Sequence, residues 1–110
     1  MNEILKLHLF VGTTLVLVSF LMKVWPPKKI NHWYGYRTPV STKNQTNWNI
    51  ANTYAADLMM WAGISNAFVQ IISYLFIGGE LSIYISLGYY LTFIFISIIL
   101  VEKRLKTTGT

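Results

Sequence analysis

Asn31–Asn52 reads NHWYGYRTPVSTKNQTNWNIAN, and the reading of the whole chain turns on this polar interval. On either side of it the sequence is apolar in runs too long and too continuous for a soluble domain of 110 residues to cover. Ile4–Trp25 precedes it, and residues 55–77 and 81–101 follow, runs of 22, 23 and 21 residues. At a helical rise of about 1.5 Å per residue, each run reaches roughly 31 to 35 Å, enough for a hydrocarbon core of about 30 Å. The chain is therefore read as an all-α integral membrane protein. It forms one domain over residues 1–110, with three transmembrane helices over 4–25, 55–77 and 81–101, a motif loop over 26–52, and a helical extension before the second span.

The first run is read as a permanent span, because no small-x-small cleavage pattern precedes Pro26-Pro27. Two prolines in succession stop the helix, since neither donates a backbone N–H and each disfavours the α region for its predecessor. A new helix is expected to start near Ser41 or Thr42, where Thr42-Lys43-Asn44-Gln45 fits a capping box. Continued to Ile77, such a helix would be about 55 Å long, so its polar first turns must project from the bilayer or bend.

Nine Lys and Arg against four Asp and Glu give +5. Lys23, Lys28, Lys29, Arg37, Lys43, Lys103, Arg104 and Lys106 fall on the loop side of a three-span topology, and Lys6 falls on the other. The positive-inside rule then puts the loop and C-terminus in the cytoplasm and the N-terminus outside. Topology accounts for the basic residues, so direct nucleic-acid binding is not expected. With no Cys there is no disulfide and no thiolate chemistry.

Within the second span, Asn52, Gly63, Asn66 and Gln70 lie within about 40° of one helical face, with Trp48 and Ser73 at its edge. Amides in hydrocarbon need partners. Asn66 and Gln70 are either packing glue between helices or the lining of a polar cavity that opens at the motif. Asp57 lies off this stripe and is expected to reach water or to pair with Arg37 or a loop lysine. His8 is read as a boundary residue of the first span.

Arg37 offers a planar fork of five donors suited to carboxylates, phosphates or carbonyls. Asn31, Tyr34, Tyr36, Ser41, Asn44 and Trp48 add neutral hydrogen-bonding groups, Gly35 permits an unusual backbone shape, and Thr38-Pro39 fixes the exit toward the helix. Such a cluster can fold the loop on itself or hold a ligand. Paired carboxylates, a nucleophile with its base, and metal-ligand spacing are all missing from the sequence, so neither an enzyme nor a cofactor is expected.

Pro26-Pro27, Ile30-Asn31, Trp33-Tyr34-Gly35-Tyr36-Arg37-Thr38-Pro39, Ser41, Lys43-Asn44, Trp48 and Ala51-Asn52, with one helix before and two after, together resemble the SdpI family of bacterial membrane proteins. The resemblance is by motif over Pro26–Gly63 and by topology elsewhere. Its founding member gives a sporulating producer immunity to its secreted peptide toxin and retains a transcriptional repressor at the membrane. The resemblance therefore implies non-covalent immunity to, or sensing of, a membrane-active peptide, with Gly35, Arg37, Thr38, Trp48 and Asn52 as the functional cluster. The implied partners are the lipid bilayer, a peptide toxin, a repressor and further copies of the chain. The rival readings are a small oligomeric transporter or channel, and a structural subunit of a membrane complex.

Overall fold

The computed structural model describes residues 2–107 as three helices in up-down-up order: α1 Glu3–Val24, α2 Gln45–Phe76 and α3 Gly79–Thr107. All three are long and apolar enough to cross a membrane, and there is no strand among the described residues. Helix α2 is the central element, packing against both neighbours, while α1 and α3 touch little. The bundle measures 49 Å along its long axis. This exceeds a hydrocarbon core of about 30 Å, so the bundle is longer than the apolar layer it crosses.

Packing is inverted relative to a soluble bundle. Phe10, Phe68, Leu75, Leu91 and Phe95 point outward, each more than 60% exposed, whereas Ser19, Asn66, Gln70, Ser73, Ser82, Ser86 and Ser97 are buried between helices. Lipid solvates large apolar groups as well as protein does, so small and polar residues are left to bring the helices together. Gly63 illustrates this: a Cβ there would lie 3.4 Å from both the Leu15 carbonyl oxygen and the Val16 Cα, so the bare backbone allows α1 and α2 to approach.

Three expectations need correction. Helix α2 begins at Gln45, not at Ser41 or Thr42, because the Thr42 hydroxyl is used in a turn: its Oγ1 donates to the Thr38 carbonyl at 2.8 Å. Asn44 is the cap instead, accepting the Asn47 N–H at 2.8 Å. The non-helical loop thus ends at residue 44, and residues 45–52 are the first turns of an unbroken 32-residue helix about 48 Å long. Helix α3 does not end with the third span's expected bound at residue 101. It runs on to Thr107 because Val101 and Leu105, both essentially fully buried, pack with Ala51 in a small apolar core at the loop end. The stretch expected to fray, residues 107–110, is helical at Thr107, and the rest of it lies outside the described residues.

Candidate functional site

Loop 26–44 folds onto the first two turns of α2. Trp48 is fully buried, and its indole N–H donates to the Pro27 carbonyl at 2.7 Å. One turn on, the Asn52 side chain works in both directions. Its Oδ1 accepts the Tyr36 N–H at 2.6 Å, while its Nδ2 donates to the Trp48 carbonyl at 3.0 Å and the Tyr36 carbonyl at 3.3 Å. This contact needs Gly35. Its φ is +104°, and a Cβ would come within 2.6 Å of both Asn52 Oδ1 and Pro27 Cγ.

The turn that follows closes reciprocally: Ser41 Oγ accepts the Thr38 N–H at 2.7 Å, and Thr38 Oγ1 accepts the Ser41 N–H at 3.2 Å. At the loop's other end Asn31 Oδ1 collects the Trp33 and Tyr34 N–H groups at 2.8 and 3.0 Å. Asn47 Nδ2 and Gln45 Nε2 tie down the Val40 and Lys28 carbonyls. Asn31, Tyr36, Thr38, Ser41, Asn44, Trp48 and Asn52 are thus the loop's frame.

A second anchor comes from α3. Glu102 Oε2 accepts the Tyr36 hydroxyl at 2.7 Å and the Thr38 hydroxyl at 3.0 Å. Burial, reinforced by the Glu102 carboxylate, pushes the Tyr36 phenol well above its ordinary pKa of 10. Nearby, the Arg104 guanidinium lies 4.0 Å from the Tyr54 ring centroid, within cation–π range.

Arg37 differs from the frame. It is exposed and makes no hydrogen bond or ion pair with the described residues. Pro39 and His32 are also exposed, and Trp33 is 84% exposed. The loop therefore offers one cationic fork beside outward-facing aromatic surface.

The intramembrane stripe does not join this site. Gln70 lies 18 residues, roughly 27 Å along the helix, from Asn52. There its Nε2 meets His8 Nδ1 and donates to the His8 carbonyl, both at 3.1 Å, and the other His8 ring nitrogen lies 2.8 Å from Ser82 Oγ. His8 is accordingly a buried link among all three helices rather than a boundary residue. Asn66 is fully buried, and neither polar atom of its amide has a hydrogen-bond partner among the described residues. Asp57 pairs with Lys23 at the end of α1, not with Arg37 or a loop lysine, because it lies on the α2 face turned toward α1. In place of the cavity expected to lead inward from the motif there are two separate hollows, one between α1 and α2 and one between the loop and α2. One is an apolar groove of about 840 Å³ that includes Gln70 but not Asn66. The other is a pocket of about 320 Å³ beneath the loop that includes Asn52.

The model of the SdpI/YfhL protein family matches residues 28–101, which is the motif loop, α2 and α3 up to Val101. The chain belongs to the SdpI/YfhL family. It is 38% identical over 95 residues to the uncharacterised protein YfhL of Bacillus subtilis strain 168, covering 86% of this chain and 82% of that protein. No solved structure matches.

In this SdpI/YfhL protein the residues that sequence reasoning missed are partners supplied by other helices. Glu102 is hidden in a basic run, Val101-Glu102-Lys103-Arg104, where a single carboxylate reads as charge balance. A signal was present: Glu102 is the sole acid after Glu80, and it falls on the turn between the two apolar residues Val101 and Leu105 that α3 buries. No local pattern marks Ser82 as the partner of His8.

Proposed function

We propose that this SdpI/YfhL-family protein gives a bacterial cell immunity to, or senses, a membrane-active peptide toxin, binding it non-covalently at the motif loop. The observation that carries the reading is the division of labour in the loop. Asn31, Tyr36, Thr38, Ser41, Asn44, Trp48 and Asn52 hold the fold together, while Arg37 stands exposed without a partner among the described residues. A guanidinium presents a rigid, permanently charged fork to a carboxylate or to the backbone carbonyls of a peptide. Trp33 and Tyr34 beside it supply aromatic surface at headgroup level.

In this reading the loop and C-terminus are cytoplasmic and the N-terminus is outside the inner membrane. The protein works without cofactor or covalent step, self-associates because three spans enclose little, and signals through a repressor held at the loop face. The test compares cells lacking the protein with cells expressing it, scored for killing by candidate membrane-active peptides. Protection that follows expression supports the proposal. Unchanged sensitivity together with substrate or proton flux in proteoliposomes favours the transporter or channel reading, and stoichiometric co-purification with a membrane complex favours the subunit reading.

A further inference from the structure

The pocket of about 320 Å³ beneath the loop is walled by Pro26–Lys28 on one side and by Gln45, Asn49 and Thr53 of α2 on the other. Nearly all of its acceptors are spent within the protein. The Pro27 carbonyl takes the Trp48 indole N–H, and the Lys28 carbonyl takes one Gln45 amide hydrogen bond. Asn49 Oδ1 takes the other Gln45 bond, and Asn52 Oδ1 takes the Tyr36 N–H. The side-chain groups left uncommitted are two donors, the Lys28 ammonium and the Asn49 amide N–H, the Thr53 hydroxyl, which can donate or accept, and one acceptor, Gln45 Oε1. Donor-rich and cationic, the pocket fits a group carrying several acceptor oxygens, of which phosphate is the best match. Its volume lies in the range of small-molecule sites, about 300 to 1,000 Å³.

One helical turn below Thr53 stands the Asp57–Lys23 pair, and one turn below that begins the apolar groove of about 840 Å³, at Phe20 and Met60. Asp57 is the acid nearest along the cleft and is neutralised by Lys23, so the net charge at the head of the cleft is set by Lys28, with Lys29 next to it. From Phe20 to Leu5 the groove runs 15 residues of α1, about 22 Å. One leaflet is about 15 Å deep, so an acyl chain from the loop side occupies the stretch from Phe20 to about Gly12. We propose that one anionic phospholipid of the loop-side leaflet spans the two hollows, with its phosphate on Lys28, Asn49 and Thr53 and one acyl chain in the α1–α2 groove.

The test uses the full chain in phosphatidylcholine nanodiscs doped with phosphatidylglycerol bearing a photoactivatable acyl chain, with photoactivatable phosphatidylcholine in a parallel arm. Phosphatidylglycerol labels the groove residues of α1 and α2 about tenfold more than phosphatidylcholine, whose phosphate is the same but whose cationic choline is repelled by Lys28 and Lys29 and offers the pocket no hydrogen bond. Lys28→Ala and Thr53→Val lower this toward the phosphatidylcholine level, whereas Lys29→Ala, next door but outside the pocket, does not. Thr13→Trp fills the groove and suppresses labelling. Thr14→Trp, at the same depth but outside the groove, leaves it intact. Lys28, Lys29 and Thr53 are exposed, and their side chains make no bond with the described residues, so these changes leave the loop frame in place. Equal labelling by the two lipids overturns the proposal, as does equal loss in Lys28→Ala and Lys29→Ala, which would indicate diffuse surface charge. Competition by excess inorganic phosphate overturns it as well, since the pocket would then be a site for the free ion.

Discussion

Replacing Gly35 with Ala strikes the loop where its geometry is tightest. At φ +104° an L-residue is strained by about 1–3 kcal/mol before any contact is considered. The new methyl would also sit 2.6 Å from Asn52 Oδ1 and 2.6 Å from Pro27 Cγ. Neither neighbour can withdraw freely. Asn52 is held by three hydrogen bonds, and Pro27 is a rigid ring whose carbonyl is bound by Trp48. Relief therefore means moving Asn52 away from the Tyr36 N–H, which leaves a donor unmet at about 1–3 kcal/mol. Together the terms come to roughly 2–6 kcal/mol of loop docking energy. Read by hydrogen–deuterium exchange in nanodiscs, amide exchange at Tyr36, Thr38 and Ser41 should quicken by roughly 30- to 20,000-fold, while the middle of α1 and α3 is unchanged. Unaltered exchange in the loop, or a uniform increase across all three helices, would refute the reasoning.

Further outcomes follow from the same contacts. Glu102→Gln, which keeps the shape but removes the charge, should loosen the loop by weakening two charge-assisted bonds, seen as faster exchange at Tyr36 and Thr38. Because the Tyr36 pKa is raised in the folded loop, its contribution is fully present below about pH 10 and is lost as the pH rises beyond that. An alkaline titration of loop exchange should therefore show docking weaken above about pH 10, and Tyr36→Phe should abolish that pH dependence. Asn66→Leu should raise resistance to denaturing detergent by about 1 kcal/mol or more, because it removes a buried amide with no partner. Gln70→Leu should lower it by about 1–3 kcal/mol, since it strands His8, so the two changes move the unfolding midpoint in opposite directions. A membrane-impermeant thiol reagent applied to intact cells should label Glu80→Cys and spare Lys29→Cys; the reverse pattern would invert the orientation.

The three helices were legible because apolar runs of more than 20 residues leave few alternatives in water or lipid. The loop's frame was legible as a set, since Gly35, Trp48 and Asn52 are unusual residues at close spacing, and their bonds are made within one segment. What was not legible depended on partners distant in sequence. Asn66 and Gln70 share a helical face and look alike on a wheel, yet Gln70 is met by His8 across 62 positions and Asn66 by nothing. Asp57 could reach several cations by sequence, and only the packing of α1 on α2 selects Lys23. The Thr42 capping box failed for a local reason: a Thr hydroxyl can serve a turn carbonyl as readily as a helix N–H, and Thr38 was nearer.

The separation between frame and contact surface can be tested in one variant. Arg37→Ala removes the exposed guanidinium and touches none of the bonds that hold the loop, so loop exchange should match that of the wild-type protein. Protection against a membrane-active peptide that the wild-type protein resists should be lost. Full protection by Arg37→Ala, at equal expression and with the loop intact, would contradict the account.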